Sequence, residues 1–231
     1  MKVSLWNRLL DLVSPRRCAV CGRRLGASQS VLCGPCQLHT PFTFFERSPY
    51  DNLMARLLWG RIDVERAAAL FYYEPASPSS RMIFDLKYHG DYALGRSLGM
   101  LAARRFEAAD FFSGIDALVP VPLTWLRRLR RGYNQSYEIA CGVKAVTGLP
   151  VYNKVVRRVR FTQSQTTRRS AERWRNVEGA FSLVDAEKIA GCHLLLIDDI
   201  LTTGATVTAC ARELLRAPGV RISILTLGCT R

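Results

Sequence analysis

The chain is short of acid. Among its 231 residues, 19 Asp and Glu stand against 33 Lys and Arg, a formal net charge of +14 at pH 7. A surplus of that size points to polyanions: nucleic acid, phosphates or an anionic membrane surface. Long apolar runs are also missing. None approaches the length of a membrane-spanning helix, so no transmembrane segment is expected. Met1 to Val13 is interrupted by Arg8 and Asp11 and has no small-residue cleavage site, which argues against a secretory leader. Leu5, Trp6, Leu9, Leu10 and Val13 predict a short amphipathic helix there instead, and a cytoplasmic location is the default expectation. Neither Gly-x-x-x-x-Gly-Lys-Ser/Thr nor Gly-x-Gly-x-x-Gly occurs, which leaves P-loop nucleotide hydrolysis and dinucleotide binding without support. Met1 is not followed by cysteine, so a glutamine-amidotransferase nucleophile is not expected. There are no internal repeats or low-complexity tracts. Histidines number three, and His89 has no partner at metal-ligand spacing, so it reads as a turn residue.

What is present is an ordinary globular composition, 48% hydrophobic and 23% charged, in a chain long enough for one medium domain and a small appendage. The chain is organised around residues 194–206. Leu194 to Ile197 is an apolar run too short for a buried helix and reads as a buried, parallel strand. Asp198 and Asp199 follow at its carboxyl end. Small, hydroxyl-rich residues then surround Gly204, and Val207, Cys210, Ala211, Leu214 and Leu215 recur at helical spacing until Pro218-Gly219. In a strand–turn–helix of this kind, backbone N–H groups of the turn and of the first helical turn can converge on a phosphate. Gly204 permits close backbone approach, and Thr202, Thr203 and Thr206 add hydroxyl donors. Two carboxylates would repel a bare phosphate but can accept hydrogen bonds from sugar hydroxyls. A sugar phosphate satisfies both halves.

The stretch Ile197-Asp198-Asp199-Ile200-Leu201-Thr202-Thr203-Gly204-Ala205-Thr206 resembles the signature of type I phosphoribosyltransferases, which bind phosphoribosyl pyrophosphate (PRPP). The fold implied is α/β, the type I phosphoribosyltransferase fold: a mostly parallel sheet flanked by helices.

Four of the eight cysteines form two knuckles, Cys18-x-x-Cys21 and Cys33-x-x-Cys36, 11 residues apart. That spacing can set four thiolates tetrahedrally around a structural Zn²⁺. Gly22 and Gly34 follow a cysteine in each knuckle, where a tight turn is expected, and Arg16, Arg17, Arg23 and Arg24 offset the charge of a Cys₄ site. A redox Cys-x-x-Cys would need only one pair. Cys141, Cys192, Cys210 and Cys229 lack such spacing and read as buried, inert thiols.

His39 to Asn52 reads as a connector. The expected division is residues 1–45 for the zinc-binding module and 46–231 for the larger domain. Strands are expected at Arg66–Tyr73, Ile115–Val119 (stopped by Pro120 and Pro122), Leu149–Val156 and Arg221–Leu227. Met82–Ala109 shows helical periodicity and Glu74–Ser80 reads as a loop. Such alternation implies a mostly parallel sheet with ligands beyond the strands' carboxyl ends. Arg157 to Asn176 reads as a long, mobile basic loop. Residues 120–180 hold 13 Lys or Arg against three Glu, a local surplus of +10. It suits pyrophosphate, DNA or both. Trp125, Tyr133, Phe161 and Trp174 lie among these charges, where they could stack on bases of single-stranded DNA. They could equally pack the core.

Val119-Pro120-Val121-Pro122, Arg131-Gly132-Tyr133-Asn134-Gln135-Ser136, Ser164-Gln165-Thr166 and Arg173-x-x-Asn176, behind the paired knuckles, resemble the ComF family of competence-associated bacterial proteins. The resemblance covers nearly the whole chain. It implies PRPP, zinc and Mg²⁺ as ligands, phosphoribosyl transfer to an acceptor it does not supply, and a setting of DNA uptake and natural transformation with competence proteins as partners. Carried over by position, Asp198 and Asp199 hold the ribose hydroxyls, and Ile200 to Thr206 (Ile200, Leu201, Thr202, Thr203, Gly204, Ala205, Thr206) line the 5′-phosphate. Arg130, Arg131 and Gly132 belong to the pyrophosphate loop. A flexible catalytic loop spans Arg160 to Arg173, with Gln165 and Arg173 as its candidates, and Lys87 approaches from the helical side. A non-catalytic DNA-handling protein that senses PRPP is the competing implication.

Overall fold

The computed structural model describes residues 16–26, 29–88, 90–159 and 179–231. The helix expected before Val13, His89, and the candidates Gln165, Arg173, Phe161 and Trp174 lie outside them. In chain order the elements are α1 (Gly34–His39), α2 (Leu53–Leu58), β1 (Ala67–Tyr72), α3 (Pro78–Tyr88), α4 (Tyr92–Glu107), β2 (Ala117–Pro120), α5 (Trp125–Arg131), α6 (Gln135–Thr147), β3 (Val156–Arg158), β4 (Phe181–Leu183), β5 (His193–Leu201), α7 (Ala205–Leu214) and β6 (Arg221–Cys229). Four strands make one parallel sheet in the order β1-β6-β5-β2, and β3 pairs antiparallel with β4 beside it. This is the helix-flanked, parallel α/β sheet that the sequence predicts. β5 is buried except at Ile200, and β6 except at Arg221. Burial on both faces is why their sequences run apolar instead of alternating.

The connections fix where a ligand can sit. The free side of β2 takes one more parallel bridge, from Leu118 to Val151. The chain therefore leaves β2 through α5 and α6 toward the outer side, and leaves β5 through α7 toward β6 on the inner side. Right-handed crossovers in opposite directions put α6 and α7 on opposite faces. Consistently, α6 packs along α4 and over β2 and β5, whereas α7 packs on β5 with the β3–β4 ribbon. The exits of β2 and β5 diverge, and a crevice opens between their carboxyl ends. Behind it α4 and α6 touch backbone to backbone. A Cβ on Gly99 would fall on the Ile139 carbonyl, and one on Gly142 on the Arg96 carbonyl.

Several expectations change in detail. The helical stretch from Met82 is two helices. It begins earlier, at Pro78, and breaks at Gly90 (φ +65°), after which Asp91 caps α4 by accepting from the Leu94 N–H at 2.9 Å. Leu149–Val156 is not one strand. Leu118 N–H donates to the Pro150 carbonyl and Tyr152 N–H to the Leu118 carbonyl, and regular pairing resumes only at Val156. Pro120 does not stop the strand before it but is its last residue, and the next donor, Val121 N–H, still bonds the Ile197 carbonyl at 2.9 Å. The connector pairs with the sheet. Residues 41–43 run antiparallel along β1, Tyr72 N–H donating to the Pro41 carbonyl and Thr43 N–H to the Leu70 carbonyl. Asn52 then caps α2 and donates from Nδ2 to the Ala67 carbonyl at 2.7 Å.

Candidate functional site

β5 runs through the acidic pair to Leu201 instead of ending before it, with Asp198 in register with Thr226. Both aspartates are more than nine-tenths buried. Asp198 Oδ1 accepts from Ser136 Oγ at 3.0 Å and from the Asp199 N–H at 2.9 Å. Asp199 Oδ2 lies 3.3 Å from Lys87 Nζ, at the end of α3. Burial, and then the charge of Asp199, push the Asp198 carboxyl up to about 7, against the pull of its two hydrogen bonds and Lys87. A carboxyl so placed takes up or releases a proton near neutrality.

The turn after β5 is anchored from behind. Thr230 Oγ1 donates to the Thr202 carbonyl at 3.3 Å, Arg61 Nη1 to the Thr203 carbonyl at 3.1 Å, and Thr230 N–H to the Leu201 carbonyl at 3.0 Å. Gly204 sits at φ +77° as the N-cap of α7. The N–H groups of Thr203, Gly204, Thr206 and Val207 find no acceptor among the described residues. Those are the donors a helix N-terminus offers an anion. Leu201 and Ala205 are buried core residues, Ile200 is half-buried, and Thr202, Thr203 and Thr206 are half-buried at the surface of the turn. The reason for glycine at 204 differs from the one expected. Its Cβ would point not at a ligand but at Leu57 (3.0 Å) and Leu58 (3.3 Å) of α2. The left-handed backbone and that packing require glycine.

The segment expected as a pyrophosphate loop is largely the helix α5. Thr124 caps its start, and Gly132 (φ +77°) ends it. Arg130 and Gly132 are exposed, whereas Arg131 is half-buried with its guanidinium 5.8 Å from the centre of the Tyr88 ring. Arg127, one of the charges of the basic stretch 120–180, is drawn in beside the acidic pair. Burial and then Arg131 depress its guanidinium, while Asp199 and Asp198 attract it. Arg158 of β3 joins it, pushed down to about 10 by burial and Arg127 and drawn by Asp198. Sequence reasoning missed Arg158 and Ser136 as well. Ser136 carried a signal, since it closes the Arg131–Ser136 motif; Arg158 reaches the site through the β3–β4 ribbon, which no motif marks. Tyr133 is not a stacking surface: it is buried, its hydroxyl donating to the Leu86 carbonyl. Trp125 is 74% exposed. A separate concavity of about 520 Å³ lies at the amino end of β6, lined by Trp59, Ile62, Leu215 and Ile222, at the opposite end of the sheet from the acidic pair.

The second cluster is Cys18, Cys21, Cys33 and Cys36, whose sulfurs all lie within 4.8 Å of one another. Cys21 and Cys33 Sγ are 3.7 Å apart, close to the edge of about 3.8 Å that Zn–S bonds of about 2.3 Å impose on a tetrahedron. Cys18 is buried, which opposes ionisation, but backbone N–H groups of Cys21, Cys33 and Val20 bring its thiol down to about 6. Cys36 is driven the other way by burial and by the three neighbouring sulfurs. Four thiolates this close need a cation, and the cluster could hold zinc. Only the first glycine does what was expected: Gly22 is left-handed (φ +71°), whereas Gly34 opens α1 ahead of Pro35. Of the remaining cysteines Cys210 and Cys229 are buried, and Cys141 and Cys192 are half-exposed.

No family model matches the chain. It is 28% identical over 214 residues to competence protein F of Haemophilus influenzae, covering 88% of this chain and 92% of that one. It is 29% identical over 210 residues to the DNA utilization protein YhgH of Escherichia coli, and 28% over 211 residues to that of Salmonella typhimurium, in each case covering 90% of this chain and 87% of the relative. The resemblance to the ComF family is borne out. A solved structure, TT1426 from Thermus thermophilus, overlaps 59% of this chain and 84% of its own at a TM-score of 0.34 and 16% identity, too loosely to carry an argument. Among the described residues no helix is long and apolar enough to cross a membrane.

Proposed function

We propose that the crevice between β2 and β5 binds PRPP and transfers its phosphoribosyl group to a nitrogen nucleophile, in the DNA-utilization setting of the ComF-type relatives. The observation that carries this reading is the juxtaposition, at one switch point, of a buried carboxylate pair with a turn in which the N–H groups of Thr203, Gly204, Thr206 and Val207 have no acceptor among the described residues. A sugar phosphate complements both. The ribose hydroxyls donate to Asp198 and Asp199, and the 5′-phosphate accepts from the turn of Thr202 to Thr206. Arg127, Arg131 and Arg158 are cations crowded against one another, a state that an anionic pyrophosphate relieves. In the transfer, the nucleophile bonds to the anomeric carbon as the bond to pyrophosphate breaks. The arginines stabilise the charge that grows on the departing oxygens, and the acidic pair steadies an oxocarbenium-like sugar. Mg²⁺ would enter with the ligand's phosphates, and Asp198 and Asp199 supply the carboxylate oxygens that such a hard cation prefers. Residues 1–45, with zinc on the four cysteines, act as the structural module, and 46–231 as the ligand-binding domain; Gln165 and Arg173 remain candidates for closing the site.

A non-catalytic reading has one observation in its favour. Trp125 is exposed on α5, flanked by the exposed Arg128 and Arg130. Single-stranded DNA could stack and pair with such a face, leaving PRPP as a regulator. Measuring PRPP-dependent pyrophosphate release against a panel of nucleobases and amines separates the two. Release with any acceptor supports the transferase, and PRPP binding with no release supports the sensor.

A further inference from the structure

The turn's own sequence does not fix the direction in which its unbonded N–H groups point. A peptide unit is planar and trans, so the carbonyl of one residue and the N–H of the next point in opposite directions. Whatever grips the carbonyl from one side therefore aims the N–H to the other. Two successive carbonyls of the turn are gripped: that of Thr202 by Thr230 Oγ1, and that of Thr203 by Arg61 Nη1 at 3.1 Å. The N–H groups they aim belong to Thr203 and Gly204, neither of which has an acceptor among the described residues. Arg61 is itself tied to the helix that the turn begins. Arg212 of α7 donates to the Arg61 carbonyl from Nε at 3.4 Å and from Nη2 at 3.2 Å. The same segment also fills the space behind the glycine, with Leu57 and Leu58 where a Cβ on Gly204 would lie.

We infer that the segment from Asn52 to Ile62 is a buttress for the phosphate turn and that Arg61 is a positioning residue, acting through the Thr203 carbonyl to set the direction of the Gly204 N–H. This rests on the PRPP reading above. Nothing in the Asp-Asp-to-Thr motif marks the buttress: it lies 142 residues upstream of the carbonyl it holds. It lies instead where the connector from the cysteine module reaches the sheet, through the cap that Asn52 places on α2. Arg61 is exposed, so its loss should leave the fold intact.

The test uses full-length protein, wild type and with Arg61→Met and Arg61→Lys. In the ligand-free state, Arg61→Met should move the Gly204 and Thr203 amide resonances and Arg61→Lys should largely restore them, with the melting temperature unchanged. PRPP with Mg²⁺, followed by calorimetry, should bind about tenfold more weakly to Arg61→Met, the scale of one hydrogen bond from a charged donor, and regain most of that in Arg61→Lys. The dependence on salt should keep its slope, because a positioning residue adds no phosphate contact of its own. Unmoved amides together with unchanged PRPP affinity in Arg61→Met would overturn the role of Arg61 while leaving the PRPP site standing. Wild type that binds no PRPP would remove the site and the buttress's purpose together.

Discussion

Asp198→Asn should stabilise the folded protein above neutral pH while weakening its ligand. The substitution keeps the shape of the side chain and an oxygen that accepts from Ser136 Oγ and the Asp199 N–H. What it removes is a charge, buried beside a second carboxylate. The Asp198 carboxyl stands at about 7 in the fold against an ordinary 3.8. Its pKa is thus higher folded than unfolded, so the native state holds the proton more tightly. This group's stabilising contribution is complete below about 3.8, falls as pH rises through the window from 3.8 to about 7, and is absent above it. The whole window corresponds to at most about 4 kcal/mol, and relaxation within the coupled pair would bring the net effect nearer 1–2 kcal/mol. Urea unfolding at pH 5 and pH 8 measures it. Asp198→Asn should gain on the order of 1–2 kcal/mol over wild type at pH 8 and markedly less at pH 5. A variant that loses stability equally at both pH values would show that the carboxylate is well solvated by its partners, and that the buried-charge reasoning is wrong.

Removing one zinc ligand with Cys33→Ser should lower metal content from one Zn²⁺ per chain and lower stability with it, since structural zinc contributes folding free energy directly; metal analysis and chelator melts check this. Gly204→Val should abolish PRPP binding and also lower the melting temperature, because the left-handed backbone and the contacts with Leu57 and Leu58 are disturbed even without ligand. Arg128→Ala should reduce the salt slope of single-stranded DNA binding, near −0.7 per phosphate, and spare PRPP, whereas Arg127→Ala should weaken PRPP. Absence of DNA binding at low salt would leave the basic face to the ligand alone.

The sheet and the cysteine cluster were legible because each has a short-range signal: unbroken apolar runs for β5 and β6, and fixed spacing for the knuckles. The acidic pair and the turn were legible for the same reason, as one strand–turn–helix unit. What failed to show was whatever depends on contacts distant in sequence. The basic stretch 120–180 did not show which of its charges serve the site: Arg128 and Arg130 are exposed, and only the path of α5 brings Arg127 under the influence of Asp198 and Asp199. Tyr133 looked available for stacking until its hydroxyl was seen to bond the Leu86 carbonyl. Gly204 was assigned to the ligand when its Cα is packed by α2, a helix that propensity alone does not connect to the turn. Arg158 depends on a ribbon whose pairing, Val156 with Leu183, closes across 26 intervening residues.

The central claim is that the acidic pair and the turn after it hold PRPP. Calorimetry with PRPP and Mg²⁺ on wild type and on Asp198→Asn/Asp199→Asn tests it most directly. Wild type should bind in a Mg²⁺-dependent way, with a loss of about 1.5–3 kcal/mol for each carboxylate removed, the scale of a charge-assisted hydrogen bond. Equal affinity in the two proteins would contradict it and place the ribose phosphate elsewhere.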